Sequence, residues 1–336
     1  MTDRGRLRLA LGVILAMPML LLAACGENLP QDSLRPAGPA ARTIDNLFRP
    51  VFWIAVGVFV LVEGLLVFAL IRFRHRAGRG VPAQVHGNKR LEIAWTIIPA
   101  VLLAGVAVPT IGTIFALSGR PSGNVLDVTV TGHQFWWEIE YPGMNVITAN
   151  EVHIPVDRPV YITLKSEDVI HSFWVPRLAG KQDLQPGRTN YLRVEADKPG
   201  VYLGQCAEFC GASHANMRFR VIAQSEADFD VWVQGQLQPA AADPPADVLG
   251  IMQTSGCAAC HTVNGLEGFG GKVGPDLTHF GGRTTLAGAI LENNEENLRT
   301  WLRDPEAAKP GNDMRLPRRL TEDEIDALIA YLEQLE

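Results

Sequence analysis

The sequence predicts a multi-domain membrane protein: a two-helix transmembrane hairpin, an all-β Greek-key barrel and a small all-α domain. Three observations predict it. Two apolar runs, 51–71 and 93–117, are each long enough to cross a bilayer. From 124 to 230 the pattern alternates with period two, and Pro-Gly pairs at 142–143, 186–187 and 199–200 punctuate it. Beyond 246 the apolar residues return at helical spacing, most legibly at Ile325, Leu328, Ile329 and Leu332. A length of 336 residues suits two or three such units, and 47% hydrophobic content excludes a disordered chain.

The net charge of −6 is unevenly spread. Residues 246–336 carry 15 acidic and 8 basic side chains, while the first 245 residues carry 21 and 22. No domain is basic enough to neutralise phosphates, so no nucleic-acid partner is expected. The five cysteines, Cys25, Cys206, Cys210, Cys257 and Cys260, are odd in number and tightly paired, unlike a disulfide framework.

Along the chain, Arg4, Arg6 and Arg8 precede a 14-residue apolar run too short to span, so 1–24 reads as a secretory signal. Leu22-Ala23-Ala24-Cys25 resembles the lipobox of bacterial lipoproteins, in which the cysteine is lipidated and becomes the new amino terminus. An uncleaved anchor is the rival reading. An exported segment, 25–50, leads into the hairpin, 51–118. The first span holds one charge, Glu63; the second holds none but contains Pro99 and Pro109, which neighbouring helices can accommodate. The connection carries Arg72, Arg74, Arg76, Arg79, Lys89 and Arg90 with no acid, which sets that loop inside and both ends of the hairpin outside. Glu63 is costly facing lipid, so it should face a partner helix or water.

The β domain is placed at 124–234. Strands are expected at 125–131, 134–141, 159–164, 190–194, 201–205 and 218–223, with no long helix before 230. Its chemistry lies near the end, in Cys206-Ala-Glu-Phe-Cys210-Gly-Ala-Ser-His214-Ala-Asn-Met217. Two thiols, an imidazole and a thioether within 12 residues select a soft metal. Structural zinc closes four ligands without methionine, whereas a weak axial thioether favours copper. His171 offers a second imidazole from upstream. One blue-copper ion needs a single cysteine; a second, four residues on, permits two thiolates to bridge two coppers.

Several runs resemble subunit II of haem–copper cytochrome c oxidases. They are His171-Ser172 with Val175-Pro176, Lys181-Gln-Asp-Leu-Gln-Pro-Gly187, Gly204-Gln205-Cys206, the 206–217 segment, Gly132-His133-Gln134-Phe135-Trp136-Trp137 and the membrane stretch Glu92-Ile-Ala-Trp-Thr-Ile-Ile-Pro99. The resemblance covers residues 40–230 and implies a cupredoxin-like fold holding a binuclear copper A centre. It implies that Cys206 and Cys210 bridge the coppers and that His171 and His214 each terminate one. Met217 and the backbone carbonyl of Glu208 are then weak axial ligands, and the Glu208 side chain helps bind magnesium where the chain meets subunit I. Phe135 stands where the family often has tryptophan near the electron-input point. Phe135, Trp136 and Trp137 are therefore candidates for that role, with aromatic packing as the rival. His133 and His153 read as structural or surface residues.

A Pro/Ala-rich linker, 235–247, precedes the last domain, 248–336. Cys257-Ala-Ala-Cys260-His261 is the attachment signature of c-type haem: two thiols add to the vinyl groups and the histidine takes one axial position. A thioredoxin-like pair would need βαβ surroundings, which the helical and Gly-rich flanks lack. The second axial ligand is Met314, the only methionine after His261, or His279. The domain resembles single-haem bacterial class I cytochromes c, which implies Met314. The same resemblance matches Gly274-Pro275-Asp276-Leu277, where the proline carbonyl would orient the axial histidine. A His–Met pair raises the haem potential. Thr321 and Glu324 make a capping-box pattern for the last helix, and 247–255 and 295–303 are weaker helical segments.

Together the resemblances imply subunit II of cytochrome c oxidase with a fused cytochrome c, in a bacterial cytoplasmic membrane, its copper and haem domains on the periplasmic side. Electrons from cytochrome c or a quinol–cytochrome c reductase would pass through haem c and copper to subunit I, which reduces oxygen and translocates protons. Subunit III is a further expected partner. The chain shows no nucleophile or general-base constellation of its own. A quinol-oxidase-type subunit would lack Cys206 and Cys210. A copper/haem reductase of nitrogen oxides and a membrane-anchored copper-binding protein are the alternatives.

Overall fold

The computed structural model describes residues 29–74, 87–240 and 243–336. The signal segment, Cys25 and the loop residues Arg76 and Arg79 lie outside the described residues.

Two helices, α1 (Pro39–Arg72) and α2 (Lys89–Ser118), are long and apolar enough to cross a membrane. Pro39 suits the first turn after Gly38, because its fixed φ is helical and its missing N–H is not needed there. Asn88 caps α2, its side chain accepting from the N–H of Arg90 and Leu91 at 3.1 and 3.3 Å. α1 starts 12 residues before the apolar run. Its first turns are amphipathic and lie on the β domain: Ala40, Ala41 and Asp45 are buried, and Arg42 pairs with Asp197. Pro50 marks the passage into the apolar run. Glu63 sits on the exposed surface of α1 and is not sheltered against α2.

Ten strands follow: β1 (Leu126–His133), β2 (Trp136–Tyr141), β3 (Val146–Ala149), β4 (Glu151–Pro155), β5 (Val160–Ser166), β6 (His171–Trp174), β7 (Gln182–Leu184), β8 (Asn190–Val194), β9 (Gly200–Cys206) and β10 (Arg218–Gln224). They form two five-stranded sheets, β3-β2-β1-β5-β8 and β4-β10-β9-β6-β7. β1 runs parallel to β5 and β4 to β10; the remaining pairs are antiparallel. Strands β3, β4, β6 and β7 were not expected from the alternation, because they are short and mostly buried. β3 and β4 form one apolar run that Asn150, at φ 61°, breaks, so the two halves join opposite sheets. Between the sheets Phe173 and Phe219 stack at 4.1 Å, and Trp137 meets both rings edge-on at 5.7 and 5.3 Å. Gly204 lies opposite Phe219 in the β9–β10 pair, where any side chain would run into that ring.

One helix corrects the expectation of none before 230. α3 (Glu226–Gln236) starts at Ser225, whose hydroxyl accepts from Asp228 N–H at 3.1 Å, and it buries Phe229 and Val233 one turn apart. It also takes the first two residues of the expected linker. The last domain contains α4 (Ala246–Thr254), the single turn α5 (Cys257–Cys260), α6 (Glu295–Arg303), the short α7 (Pro305–Ala308) and α8 (Glu322–Leu332). A small hairpin, β11 (Thr285–Leu286) with β12 (Leu291–Glu292), adds strand to a domain expected to be all-α. The capping box of α8 is present: Thr321 accepts from Glu324 N–H at 3.3 Å, and Glu324 accepts from Thr321 N–H at 2.9 Å. Its apolar face packs against Val248 and Met252 of α4 and Leu298 and Leu302 of α6.

His153 stacks on Trp232 at 4.1 Å between the second sheet and α3, and burial lowers its pKa to about 4 from 6.5. Between those values the unfolded chain binds a proton that the folded chain refuses, so stability falls as pH drops from about 6.5 towards 4. His153→Phe should flatten that slope, as read by thermal unfolding of the chain across this range.

Candidate functional site

The ends of three strands and one loop bring the predicted ligands together. His171 opens β6, Cys206 closes β9, and Met217 immediately precedes β10. The intervening loop carries Glu208, Cys210 and His214. His171, Cys206 and Cys210 are buried, with ligand atoms within 4.8 Å of one another. The two sulfur atoms are 3.8 Å apart; Cys210 Sγ lies 3.6 Å from His214 Nδ1 and 3.7 Å from Met217 Sδ. The Glu208 carbonyl oxygen is 3.2 Å from Cys206 Sγ, while the Glu208 side chain is exposed. Two thiols, two imidazoles, a thioether and a carbonyl suit a soft, thiolate-bridged pair of metal ions.

The electrostatics favour one thiolate. A hydrogen bond from Cys210 and others from His171 and backbone N–H groups hold the Cys206 thiol well below its ordinary value. Cys206 in turn pushes the Cys210 thiol up. His171 Nε2 donates to Asp168 Oδ1 at 2.7 Å, which turns Nδ1 towards Cys206. Burial works against the Asp168 carboxylate. Hydrogen bonds from His171, Val169 N–H and Gln134 N–H outweigh it and keep the carboxyl below the usual range.

A second site lies in the last domain. Cys257, Cys260, His261 and Met314 line one largely apolar cavity with Leu298, Leu302 and Leu328. His261 Nδ1 donates to the Pro275 carbonyl at 2.7 Å, leaving Nε2 for a metal. Gly274 is required beside it, since a Cβ there would lie 2.5 Å from His261 Cε1. His279 is placed elsewhere: its Nδ1 and Nε2 lie 2.9 and 3.1 Å from the carbonyls of Glu336 and Gln236. No sequence motif marks Arg283. It lines the cavity, and its shielded Nε has no partner among the described residues. A guanidinium that donates to the Asp276 carbonyl but leaves Nε without a partner among the described residues, beside two thiols, an imidazole and a thioether, fits a haem bearing carboxylates.

Phe135 and Trp136 are buried and line this same cavity, so the aromatic cluster lies between the two sites. Trp137 is fully buried, edge-on to Phe173 and Phe219 at 5.7 and 5.3 Å and to His171 at 5.9 Å. His133 stacks on Trp136 at 4.4 Å.

The fold and sites define a membrane-anchored electron-transfer protein with a cupredoxin-like domain and a cytochrome c domain. The family described as "Cytochrome C oxidase subunit II, periplasmic domain" matches residues 144–224, its transmembrane domain matches 30–112, and "Cytochrome c" matches 250–336. The chain is 42% identical to cytochrome c oxidase subunit 2 of Alkalihalophilus pseudofirmus, over 94% of each chain. It is 39% identical to cytochrome c oxidase subunit 2 of a Bacillus species, over 99% of each. Among solved structures it is similar to the periplasmic domain of subunit II of cytochrome oxidase of Bradyrhizobium japonicum, at 30% identity and TM-score 0.33, covering 34% of this chain and 95% of that one. The chain belongs to the cytochrome c oxidase subunit II family. It is a subunit of an oxidase, an oxidoreductase, and it is located in a membrane.

Asp168 fixes the ring of His171 without reaching the sulfur atoms. Asp168→Asn should therefore weaken metal retention at this site by about 10- to 100-fold, measured by competition with a chelator.

Proposed function

We propose that the chain relays electrons into an oxidase through a binuclear copper A centre and a covalent haem c. Cys206 and Cys210 would bridge the coppers, His171 and His214 would terminate them, and Met217 and the Glu208 carbonyl would be the weak axial ligands. Cys257 and Cys260 would hold the haem, with His261 and Met314 on its two faces. When bound, these groups supply one-electron chemistry, passing electrons from an external donor through haem and copper towards the haem–copper catalytic subunit, where oxygen is reduced to water.

The observation that carries this reading is the convergence of His171, Cys206, Cys210, His214 and Met217 in one cluster beside a cavity lined by Cys257, Cys260, His261 and Met314. The chain's own residues exclude water from the thiols and hold both imidazoles by their second nitrogen or by the loop. The rigid strand ends keep geometric change on electron transfer small. The exposed Glu208 side chain would share a magnesium ion with the catalytic subunit. The basic loop between α1 and α2 supports a periplasmic position for both soluble domains. Cytochrome c or a quinol–cytochrome c reductase is the proposed donor, and subunits I and III are the proposed partners.

Metal and haem analysis of the purified complex, with an oxygen-uptake assay, tests the reading. The expected result is two coppers and one covalent haem in this chain, with oxygen consumed. The same composition with nitrogen oxides consumed in place of oxygen would move it to another terminal reductase. Cys206→Ser should abolish the near-infrared copper band and leave the haem c spectrum intact. Met314→Ala should turn the haem towards high spin and lower its potential; an unchanged spectrum would remove Met314 as its ligand.

A further inference from the structure

The two soluble domains meet along a built seam whose contacts neither set of candidate ligands accounts for. Glu151 of β4 is 1% exposed, yet its carboxylate accepts from the haem-side domain: Thr284 N–H at 3.0 Å, Thr284 Oγ1 at 2.7 Å and Thr285 Oγ1 at 2.6 Å. Arg220 of β10 stands directly opposite Glu151 in the β4–β10 pair, and it donates to Glu292 at 2.5 Å. Glu292 in turn stands opposite Thr285 in the β11–β12 pair. Two neighbouring strands of one domain thus meet two neighbouring strands of the other through one buried carboxylate with its threonine donors and one ion pair.

The tip of that hairpin reaches the metal loop. Ala287, Gly288 and Ala289 are consecutive residues at φ 55°, 75° and 59°. Such a left-handed run is strained and persists only where its surroundings impose it. Gly288 O accepts from Arg218 N–H at 3.1 Å, next to Met217. A Cβ on Gly288 would lie 3.1 Å from Phe135 O and 3.3 Å from Asn216 O. Lys309, also buried, donates across the seam to Phe135 O at 2.7 Å.

We propose that the β11–β12 hairpin is a docking key, seated on Glu151 and Arg220, that holds the haem-side domain fixed over the copper loop. It positions one redox site against the other. It also covers Phe135 and Trp136, so a protein donor reaches the copper pair only through the haem. This consequence rests on the electron-relay reading; the seating itself does not.

The test uses the intact oxidase complex. Pulsed electron paramagnetic resonance should give one narrow haem–copper distance, and it should be the same at low and high salt, because the buried Glu151 contacts escape screening while the exposed Arg220–Glu292 pair adds little. Glu151→Leu removes the acceptor of three donors, and Arg220→Glu sets a like charge against Glu292. Each should broaden that distance, slow haem-to-copper transfer several-fold and speed protease cleavage between Gln236 and Ala246. Haem and copper spectra should not move. A broad or salt-dependent distance in the unaltered complex would overturn the proposal, as would both variants leaving distance, rate and cleavage unchanged. A complex lacking the copper band or covalent haem would sink the relay reading instead, while the cleavage comparison would still judge the key.

Discussion

The buried sulfur atoms of Cys206 and Cys210 stand 3.8 Å apart, nearly twice the length of a disulfide bond of about 2.05 Å. Keeping two thiols that close without joining them demands stiff support on every side. β6 and β9 pair antiparallel, with Phe173 opposite Cys206, so the strand that ends in one sulfur ligand is anchored beside the strand that opens with His171. Beneath them the Trp137, Phe173 and Phe219 rings leave no free space, and Gly204 exists because Phe219 occupies the volume its side chain would need. The sandwich is in this sense a mounting for one short loop.

The membrane segments, the haem signature and the metal loop were legible because each depends on a local pattern. A bilayer requires a minimum apolar length, haem attachment a fixed Cys-x-x-Cys-His spacing, and a soft metal a cluster of sulfur and imidazole. The strand that holds His171 was harder to read, since four residues buried on both faces do not alternate. α3 carried a readable cap at Ser225 and an apolar pair at Phe229 and Val233, but the strand pattern before it masked both. Asp168 lies only three residues before His171, but no motif marks it as the partner of that ring; Arg283 was beyond reach, because only the tertiary fold brings it to the cavity.

The boundary between the β domain and the haem-side domain was also hidden. The sequence marks it as a Pro/Ala-rich linker, which describes a tether and says nothing of a seat. Glu151 reads as an ordinary polar position outside the expected strands. It becomes a buried carboxylate only when Thr284 and Thr285, more than 130 residues later, arrive to donate to it. Charged groups tolerate such burial when every lone pair finds a donor, which makes them good markers of a specific orientation.

α1 runs unbroken for 34 residues, from turns packed on the β domain down through the apolar span, a length of roughly 50 Å. It therefore couples the rotational phase of the membrane segment to that of the metal loop. Each residue inserted or deleted within it would turn the upper domain by about 100° relative to the lower and shift it by about 1.5 Å. The loop that carries Cys206 and Cys210 would then face another direction relative to the membrane segment. Changes of length in this family member should be tolerated in the segments flanking the helix, while within the helix only near-whole turns preserve the aim.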